Sequence, residues 1–185
     1  MHGRFLKWFL VAVLLVPAVG APAPQAAGEY SYADEDRDWG IAATNRLRQQ
    51  PYHAPTPREI PGARVVSTRE LHAMLAGPNA PVLIDVLAEE RHVTLVGAVW
   101  LSGAGRGANF LDPLQAALTQ LLQQLSRGDK ARPLVFFCAG AQCWLSYNAA
   151  LRAVAAGYTK VYWYRGVVEA WMAAGLPTAR TAGRP

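Results

Sequence analysis

Two cysteines, Cys138 and Cys143, are the only ones in this 185-residue sequence, and they bracket the short loop AGAQ. Thiols that close together can react with each other, and three roles are open to them. In the first, Cys138 accepts a sulfur atom and Cys143 resolves the persulfide, which releases sulfide and leaves a disulfide. In the second, the pair cycles between dithiol and disulfide with a partner thiol. In the third, a static disulfide closes the loop and adds little stability, because the loop is so short.

The cysteine pair follows an unbroken apolar run, LVFF, which predicts a strand buried on both faces. Ligands of open parallel sheets bind beyond the carboxyl ends of the strands, where Cys138 lies. Small residues let backbone N–H groups of the loop turn inward, and a helix beginning near Cys143 adds a partial positive charge. Both features favour the thiolate of Cys138, so Cys138 is the predicted nucleophile and Cys143 its resolving or redox partner. The predicted active-site loop consists of Ala139, Gly140, Ala141 and Gln142.

Apolar strands alternate with helices along the rest of the chain, a pattern typical of a parallel sheet covered on both faces. The predicted strands are ARVVS, PVLIDV, GAVWL, RPLVFF and KVYWY, and the predicted helices are STRELHAML, DPLQAALTQLLQQLSRG, CWLSYNAALRAVAAG and GVVEAWMAAG. Ser67 and Glu70 have the spacing of a capping box, and Asp112 before Pro113 is a typical helix start. The predicted fold class is α/β: a single domain with a parallel sheet of about five strands and helices on both faces.

The composition indicates a globular protein, since apolar residues make up 52% of the chain and charged residues 17%. The formal net charge of +5 does not indicate nucleic-acid binding, because the basic residues are scattered and not interleaved with aromatic ones. The sequence has no phosphate-binding loop of the Walker or Rossmann type, and no cofactor is predicted. Two thiolates without nearby histidines make half a zinc site, so no metal is predicted either.

The first residues indicate export from the cytoplasm. MHGRFLK is short and positive, WFLVAVLLVPAV is apolar but short for a bilayer, and AVGAPA suits cleavage after Gly20. Residues 1–20 are therefore predicted to be a signal peptide, with a retained membrane anchor as the alternative. A lipoprotein anchor is excluded because no cysteine follows the apolar run. The mature protein is expected in the periplasm without a stable membrane span, in a compartment where thiols tend to oxidise.

Residues 21–63 are predicted to be an extended, Pro/Ala-rich and acidic segment outside the core. Asp34, Asp36 and Asp38 alternate as calcium ligands do, but the glycine and the distant glutamate of a calcium loop are missing. A solvated acidic surface is therefore favoured over a calcium site. The folded domain is expected to cover residues 64–178, followed by a C-terminal tail at residues 179–185.

The stretch from Leu134 to Pro177 resembles the C-terminal half of a rhodanese domain, through LVFFC, YNAALRAVAAGY, TKVYWYRG and VVEAWMAAGLP. PVLIDV, which contains Asp85, and VGAVWL are similar to the N-terminal half. The resemblance implies a sulfurtransferase fold in which the cysteine after the fourth strand, Cys138, takes up a persulfide sulfur. A small sulfur donor or acceptor, or a protein thiol, is the implied partner.

The cysteine loop and two single positions depart from the rhodanese pattern. The loop AGAQ is uncharged where arginine or lysine is usual, Leu87 replaces the arginine that usually follows IDV, and Arg165 replaces a glycine after the last strand. A site with fewer fixed cations is expected to bind thiosulfate, a dianion, poorly. Arg165 and Arg106 are candidate compensating cations, although a solvated surface position is favoured for each.

A narrower resemblance accounts for the second cysteine. A cysteine pair followed by Trp144, and the segment YHAPTPREIPGARVVS, are similar to the exported PQQ-dependent catabolism-associated CXXCW motif rhodanese-like family, although four residues separate the cysteines here. The resemblance implies a setting in quinoprotein alcohol catabolism, with a periplasmic quinoprotein dehydrogenase or its cytochrome as partner. The rival to an enzyme is a non-catalytic module that binds such a partner. That module should tolerate the loss of Cys138, whereas a transferase cannot.

Residues around the pair have structural and functional interpretations. For Trp144, packing in the core is favoured over covering the loop. Asp85 is a candidate base, but an aspartate that ends a buried strand more often bonds neighbouring backbone. His53, His72 and His92 show no partner pattern in the sequence.

Overall fold

A computed structural model describes residues 34–181, so the predicted signal peptide and the rest of residues 1–33 lie outside the described residues, as do residues 182–185. The main sheet contains β1 (Arg64–Val66), β2 (Val82–Asp85), β4 (Val99–Trp100), β5 (Leu134–Phe137) and β6 (Val161–Tyr164). These strands are all parallel, in the order β1-β6-β5-β2-β4. The prediction of a parallel sheet of about five strands is confirmed.

A second, antiparallel sheet pairs β3 (Val93–Leu95) with β7 (Thr178–Arg180). Neither three-residue strand is indicated by the sequence pattern, because so short a segment shows no periodicity. Strand β7 begins where the domain is predicted to end and continues into the predicted tail.

Four helices in the described residues cover the main sheet: α1 (Thr68–Ala76), α2 (Pro113–Ser126), α3 (Trp144–Ala155) and α4 (Val167–Ala173). The structure confirms the helix starts that the sequence predicts at Ser67 and at Asp112. The Ser67 hydroxyl accepts from the backbone of Glu70, and the Glu70 carboxylate accepts from the backbone of Ser67, at 3.2 and 2.8 Å. Asp112 caps α2 by accepting from the Gln115 backbone at 2.9 Å. Such caps satisfy the amide groups that a helix start leaves without partners.

Side chains that alternate along β5 enter two cores on opposite faces of the sheet. Leu134 and Phe136 belong to the core that contains the buried side chains of α2 and α3. Val135 and Phe137 belong to the core that contains those of α1 and α4. This alternation confirms helices on both faces of the sheet. Cys138, the next residue, lies with the core of α2 and α3.

An ion pair between the buried Arg152 of α3 and the partly buried Asp112 joins α3 to the start of α2. Arg152 is fully buried and donates to both carboxylate oxygens of Asp112, at 2.9 and 2.6 Å. The hydrogen bonds from Arg152 hold the pKa of Asp112 below its usual range. Separating the two residues would leave each charge poorly compensated, so they stay paired. The pair thereby fixes the position of α3 and of the cysteine loop that precedes α3.

The described part of the N-terminal segment, residues 34–63, has no helix or strand, as predicted, but it does not lie outside the core. Leu47 and Ile60 are buried in the core of α2 and α3, and Thr56 is also fully buried. The prediction that this segment stays clear of the core is therefore wrong. Its prolines prevent a regular ladder of hydrogen bonds, so side-chain burial and isolated hydrogen bonds hold it in place. Within residues 34–181, no helix is long and apolar enough to span a membrane.

Candidate active site

A disulfide joins Cys138 and Cys143 directly after β5. The two sulfur atoms are 1.99 Å apart and the two Cα atoms 6.2 Å apart. Cys138 is only 1% exposed, whereas Cys143 is 8% exposed. The disulfide forms at some stage in each of the three roles proposed for the pair, so the bond itself does not distinguish the roles. The residues around the bond must do so.

The backbone amides at the start of α3 are already bonded within the protein. Cys143 N donates to Gly140 O, and Trp144 N donates to Tyr52 O, each at 2.9 Å. Since a backbone amide has a single hydrogen, neither group is available to a thiolate. The anion-binding loop predicted for Cys138 therefore does not include these two amides.

Residues 52–56 of the N-terminal segment lie along the cysteine loop, and we call them the site strap. His53 forms an antiparallel bridge with Cys143. On one side of this bridge, Ala54 N donates to Gln142 O at 3.0 Å, and the bond to Tyr52 O lies on the other side. The strap therefore pairs with the loop as one short piece of β-structure around Cys143.

Side chains add to this attachment. The indole N–H of Trp144 donates to Pro55 O at 3.1 Å, and the buried hydroxyl of Thr56 donates to Ala141 O. The prolines of this stretch predict an extended backbone, but they do not indicate that this backbone pairs with the cysteine loop. The strap is thus the part of the site that sequence reasoning missed.

Arg165 donates hydrogen bonds to the strap and to other residues of the N-terminal segment. It is 1% exposed and donates to Glu35 O at 2.9 Å, to Arg37 O at 2.7 Å and to the Thr56 hydroxyl at 3.2 Å. Its guanidinium group also stacks on the Trp39 ring, 4.8 Å from the ring centroid. Loss of water on burial lowers the pKa of Arg165. The expectation of a solvated surface arginine is therefore wrong, and the side chain faces the N-terminal segment.

A cavity of about 740 Å³ opens beside the loop and the strap. Cys143 borders it, and Cys138 is not among its lining residues. The lining also includes the four residues between the cysteines and two residues of the strap (Ala139, Gly140, Ala141, Gln142, Tyr52 and His53). The loop after β2 contributes Leu87 and Glu89, and α4 contributes Glu169, Ala170 and Ala173. The cavity therefore reaches the disulfide-bonded residue Cys143 but not Cys138.

The Asp, Glu, Lys and Arg residues that line the cavity within residues 34–181 are all acidic. Asp34, Glu35, Glu89 and Glu169 line it, and no lysine or arginine within residues 34–181 does so. Leu87, at the position where rhodaneses usually have arginine, also lies in the wall. The carboxylates add to the uncharged loop as a reason to expect weak binding of thiosulfate.

The rhodanese-like domain family matches residues 67–174, more than half of the chain. The chain belongs to the rhodanese-like domain family. The expected rhodanese domain is therefore confirmed, and it is consistent with sulfur transfer or thiol chemistry. No curated protein matches the sequence.

Several solved structures are similar to this rhodanese-like chain. A thiosulfate sulfurtransferase from Pseudomonas aeruginosa is 19% identical with a TM-score of 0.49, over 66% of this chain and 21% of that one. The rhodanese-like domain of an Anabaena sp. protein is 21% identical with a TM-score of 0.44, over 62% of this chain and 76% of that one. An uncharacterized protein from Saccharomyces cerevisiae is 23% identical with a TM-score of 0.43, over 61% of this chain and 93% of that one. This chain thus spans about a fifth of the length of the Pseudomonas aeruginosa chain.

Asp85 and Trp144 have structural contacts in this rhodanese-like domain. Asp85 is buried and accepts from Leu87 N at 3.0 Å, from the Thr94 hydroxyl at 2.6 Å and from His92 Nε2 at 2.8 Å. His92 therefore has a partner that its sequence context does not indicate. Trp144 is 3% exposed, which agrees with a position in the core.

Among the other candidate residues, Arg106, Asp36 and Asp38 do not line the cavity, whereas Asp34 does. Arg106 is exposed and does not line the wall, so it occupies the solvated position favoured for it. In the described part of the chain, no group of three or more His, Cys, Asp or Glu side chains is placed to hold a metal ion. Asp34, Asp36 and Asp38 are exposed, whereas their neighbour Glu35 is buried.

Proposed function

We propose that this rhodanese-like protein exchanges thiol and disulfide at Cys138 and Cys143. The observation that carries the proposal is a disulfide at the carboxyl end of β5, with Cys143 bordering a cavity of small-molecule size. A thiolate attacks the sulfur of Cys143, the more exposed of the two, and Cys138 leaves as a thiolate. A second thiolate then attacks the sulfur of the bound thiol. This step releases a small disulfide and the Cys143 thiolate.

Sulfur transfer is the second candidate, and the position of Cys138 favours it. The rhodanese resemblance implies that the cysteine after this strand takes up a persulfide sulfur. The Cys138 thiolate attacks the outer sulfur of a donor, and the rest of the donor leaves as an anion. The Cys143 thiolate then attacks the Cys138 sulfur atom, which expels the outer sulfur as hydrosulfide, with a proton from solvent, and forms the disulfide. Because the two sulfur atoms share a bond in the oxidised protein, Cys143 is within reach of a persulfide on Cys138.

A redox titration tests the proposed exchange. The protein is equilibrated with a series of glutathione redox buffers, quenched in acid and alkylated, and its intact mass reports the dithiol fraction. Because Cys143 borders the cavity, we expect full interconversion with a midpoint above about −300 mV, the range of accessible and catalytic disulfides. A midpoint below that value would identify a structural bond and remove the exchange function.

We also propose that the protein is exported to the periplasm and acts in PQQ-dependent alcohol catabolism, with a quinoprotein dehydrogenase or its cytochrome as partner. The N-terminal leader pattern of residues 1–20 supports export. The segment YHAPTPREIPGARVVS and the cysteine pair before Trp144 support the setting through their resemblance to the exported family. That segment contains the site strap, so the resemblance covers both parts of the candidate site.

Cell fractionation and growth test the setting. Protein expressed with its full leader is expected in the periplasmic fraction, with Ala21 as its first residue. Deleting the gene in the source organism is expected to slow growth on an alcohol oxidised by a quinoprotein, with growth on succinate as the control. Retention of residues 1–20 would contradict cleavage, and equal growth on both carbon sources would contradict the catabolic setting.

A further inference from the structure

The cavity beside Cys143 is surrounded by carboxylates from three separate parts of the chain. Asp34 and Glu35 come from the N-terminal segment, Glu89 follows β2, and Glu169 lies on α4. Side chains so far apart in sequence meet here only because the fold brings them to one wall. A cavity with walls of a single charge raises the local concentration of ions of the opposite charge.

Two of these carboxylates are compensated within the protein. Asp34 forms an exposed ion pair with Arg37 at 3.4 Å. Glu35 is buried and accepts from the Thr68 hydroxyl at 2.7 Å and from the Thr68 backbone, and burial raises its pKa. Arg37 therefore partly balances the charge of Asp34, and the raised pKa of Glu35 favours its neutral form.

Glu89 and Glu169 are different. Both side chains are exposed to solvent at the cavity, and neither has a hydrogen bond or ion pair to another side chain within residues 34–181. Arg165, which precedes the lining residue Gly166, is buried and directs its donors at Glu35 O, Arg37 O and Thr56. The two glutamates therefore place carboxylates without a cationic partner among the described residues in the wall of the cavity that Cys143 borders.

We propose that the small molecule that reduces this disulfide is a thiol carrying a positive charge near its sulfur, and that Glu89 and Glu169 determine this specificity. The inference rests on the proposed thiol–disulfide exchange. Two molecules of aminothiolate give two electrons to the Cys138–Cys143 bond. The products are one small disulfide and two protein thiolates, through a mixed disulfide on Cys143. The ammonium group is attracted by the two carboxylates, whereas an anionic thiol is repelled.

Three thiols of similar size test the charge preference: cysteamine, 2-mercaptoethanol and 3-mercaptopropionate. The rate of protein reduction is measured by acid quenching and intact mass, and it is expressed per thiolate. Each rate is then divided by the rate of the same thiol with a small neutral disulfide, which removes differences in intrinsic reactivity. At an ionic strength of about 10 mM, we expect the normalised rate of cysteamine to exceed that of 3-mercaptopropionate about tenfold, and the ratio to fall in about 1 M salt.

Variants locate the source of the preference. The double change Glu89→Gln and Glu169→Gln is expected to bring the three normalised rates close together. The matched double change Glu59→Gln and Glu90→Gln removes two exposed charges that do not line the cavity, and it should lower the ratio much less than the change at Glu89 and Glu169 does. Equal normalised rates in the unmodified protein, or a ratio that survives the double change, would overturn the inference. Failure of all three thiols to reduce the protein would instead overturn the exchange function on which it rests.

Discussion

Cys138→Ser is expected to abolish both sulfur uptake and disulfide exchange, with activity falling about a thousandfold or more. Serine cannot form the bond to Cys143, and its hydroxyl is a far weaker nucleophile than a thiolate. Intact mass after incubation with polysulfide measures sulfur uptake, and reduction of a mixed disulfide substrate measures exchange. The substitution removes one buried sulfur atom from a position that is 1% exposed, so folding is checked by urea denaturation.

Cys143→Ser is the matched control, because it removes the same bond but keeps the Cys138 thiol. This variant is expected to hold one added sulfur atom on Cys138 after polysulfide treatment, since the resolving thiol is missing. Normal growth on the alcohol in cells that carry Cys138→Ser, with no sulfur uptake or exchange by the purified variant, would show that the chain is a binding module for a periplasmic partner. A gain of sulfur in neither variant would remove the persulfide route and leave thiol–disulfide exchange alone.

The main sheet and the helices could be predicted because their signals are local. The run LVFF lies between turn residues, and the capping residues Ser67 and Asp112 stand beside the helices that they start. The cysteine pair could be found in the same way, since both residues lie in one loop. Strands β3 and β7 could not, because three residues carry too little pattern and their pairing joins positions far apart in the chain.

The strap and the acidic wall depend on long-range contacts that no local pattern encodes. Residues 52–56 look like a proline-rich linker until the loop of Cys143 is placed beside them. Glu89 and Glu169 are ordinary surface glutamates in sequence, and they share a wall only because β2 and α4 end near the same cavity. The burial of Arg165 could not be predicted either, because an arginine after a strand is usually solvated, and its acceptors lie about 110 to 130 positions away.

Arg165→Leu is expected to lower the free energy of unfolding by about 3 kcal/mol and to release the site strap. Without the guanidinium group, Glu35 O and Arg37 O lose their charged donor, and the Thr56 hydroxyl loses one of its partners. Urea denaturation measures the stability, and amide hydrogen exchange measures the opening of residues 52–56 and 141–144. Arg69→Leu, at an exposed position on α1, is the control and should change the unfolding free energy by less than about 0.5 kcal/mol.

Thr56→Val separates the strap's effect on the disulfide from its effect on stability. Valine has nearly the shape of threonine but can neither donate to Ala141 O nor accept from Arg165, so the loop beside Cys143 and the Arg165 side chain each lose one hydrogen bond while the packing remains. We expect a loss of about 1 to 2 kcal/mol in stability and faster reduction of the disulfide by thiols, because the loop opens more readily around Cys143. If thiols reduce Thr56→Val and Arg165→Leu no faster than the unmodified protein, the strap supports the fold alone. Cys143 would then be held in place by α3 and its own loop.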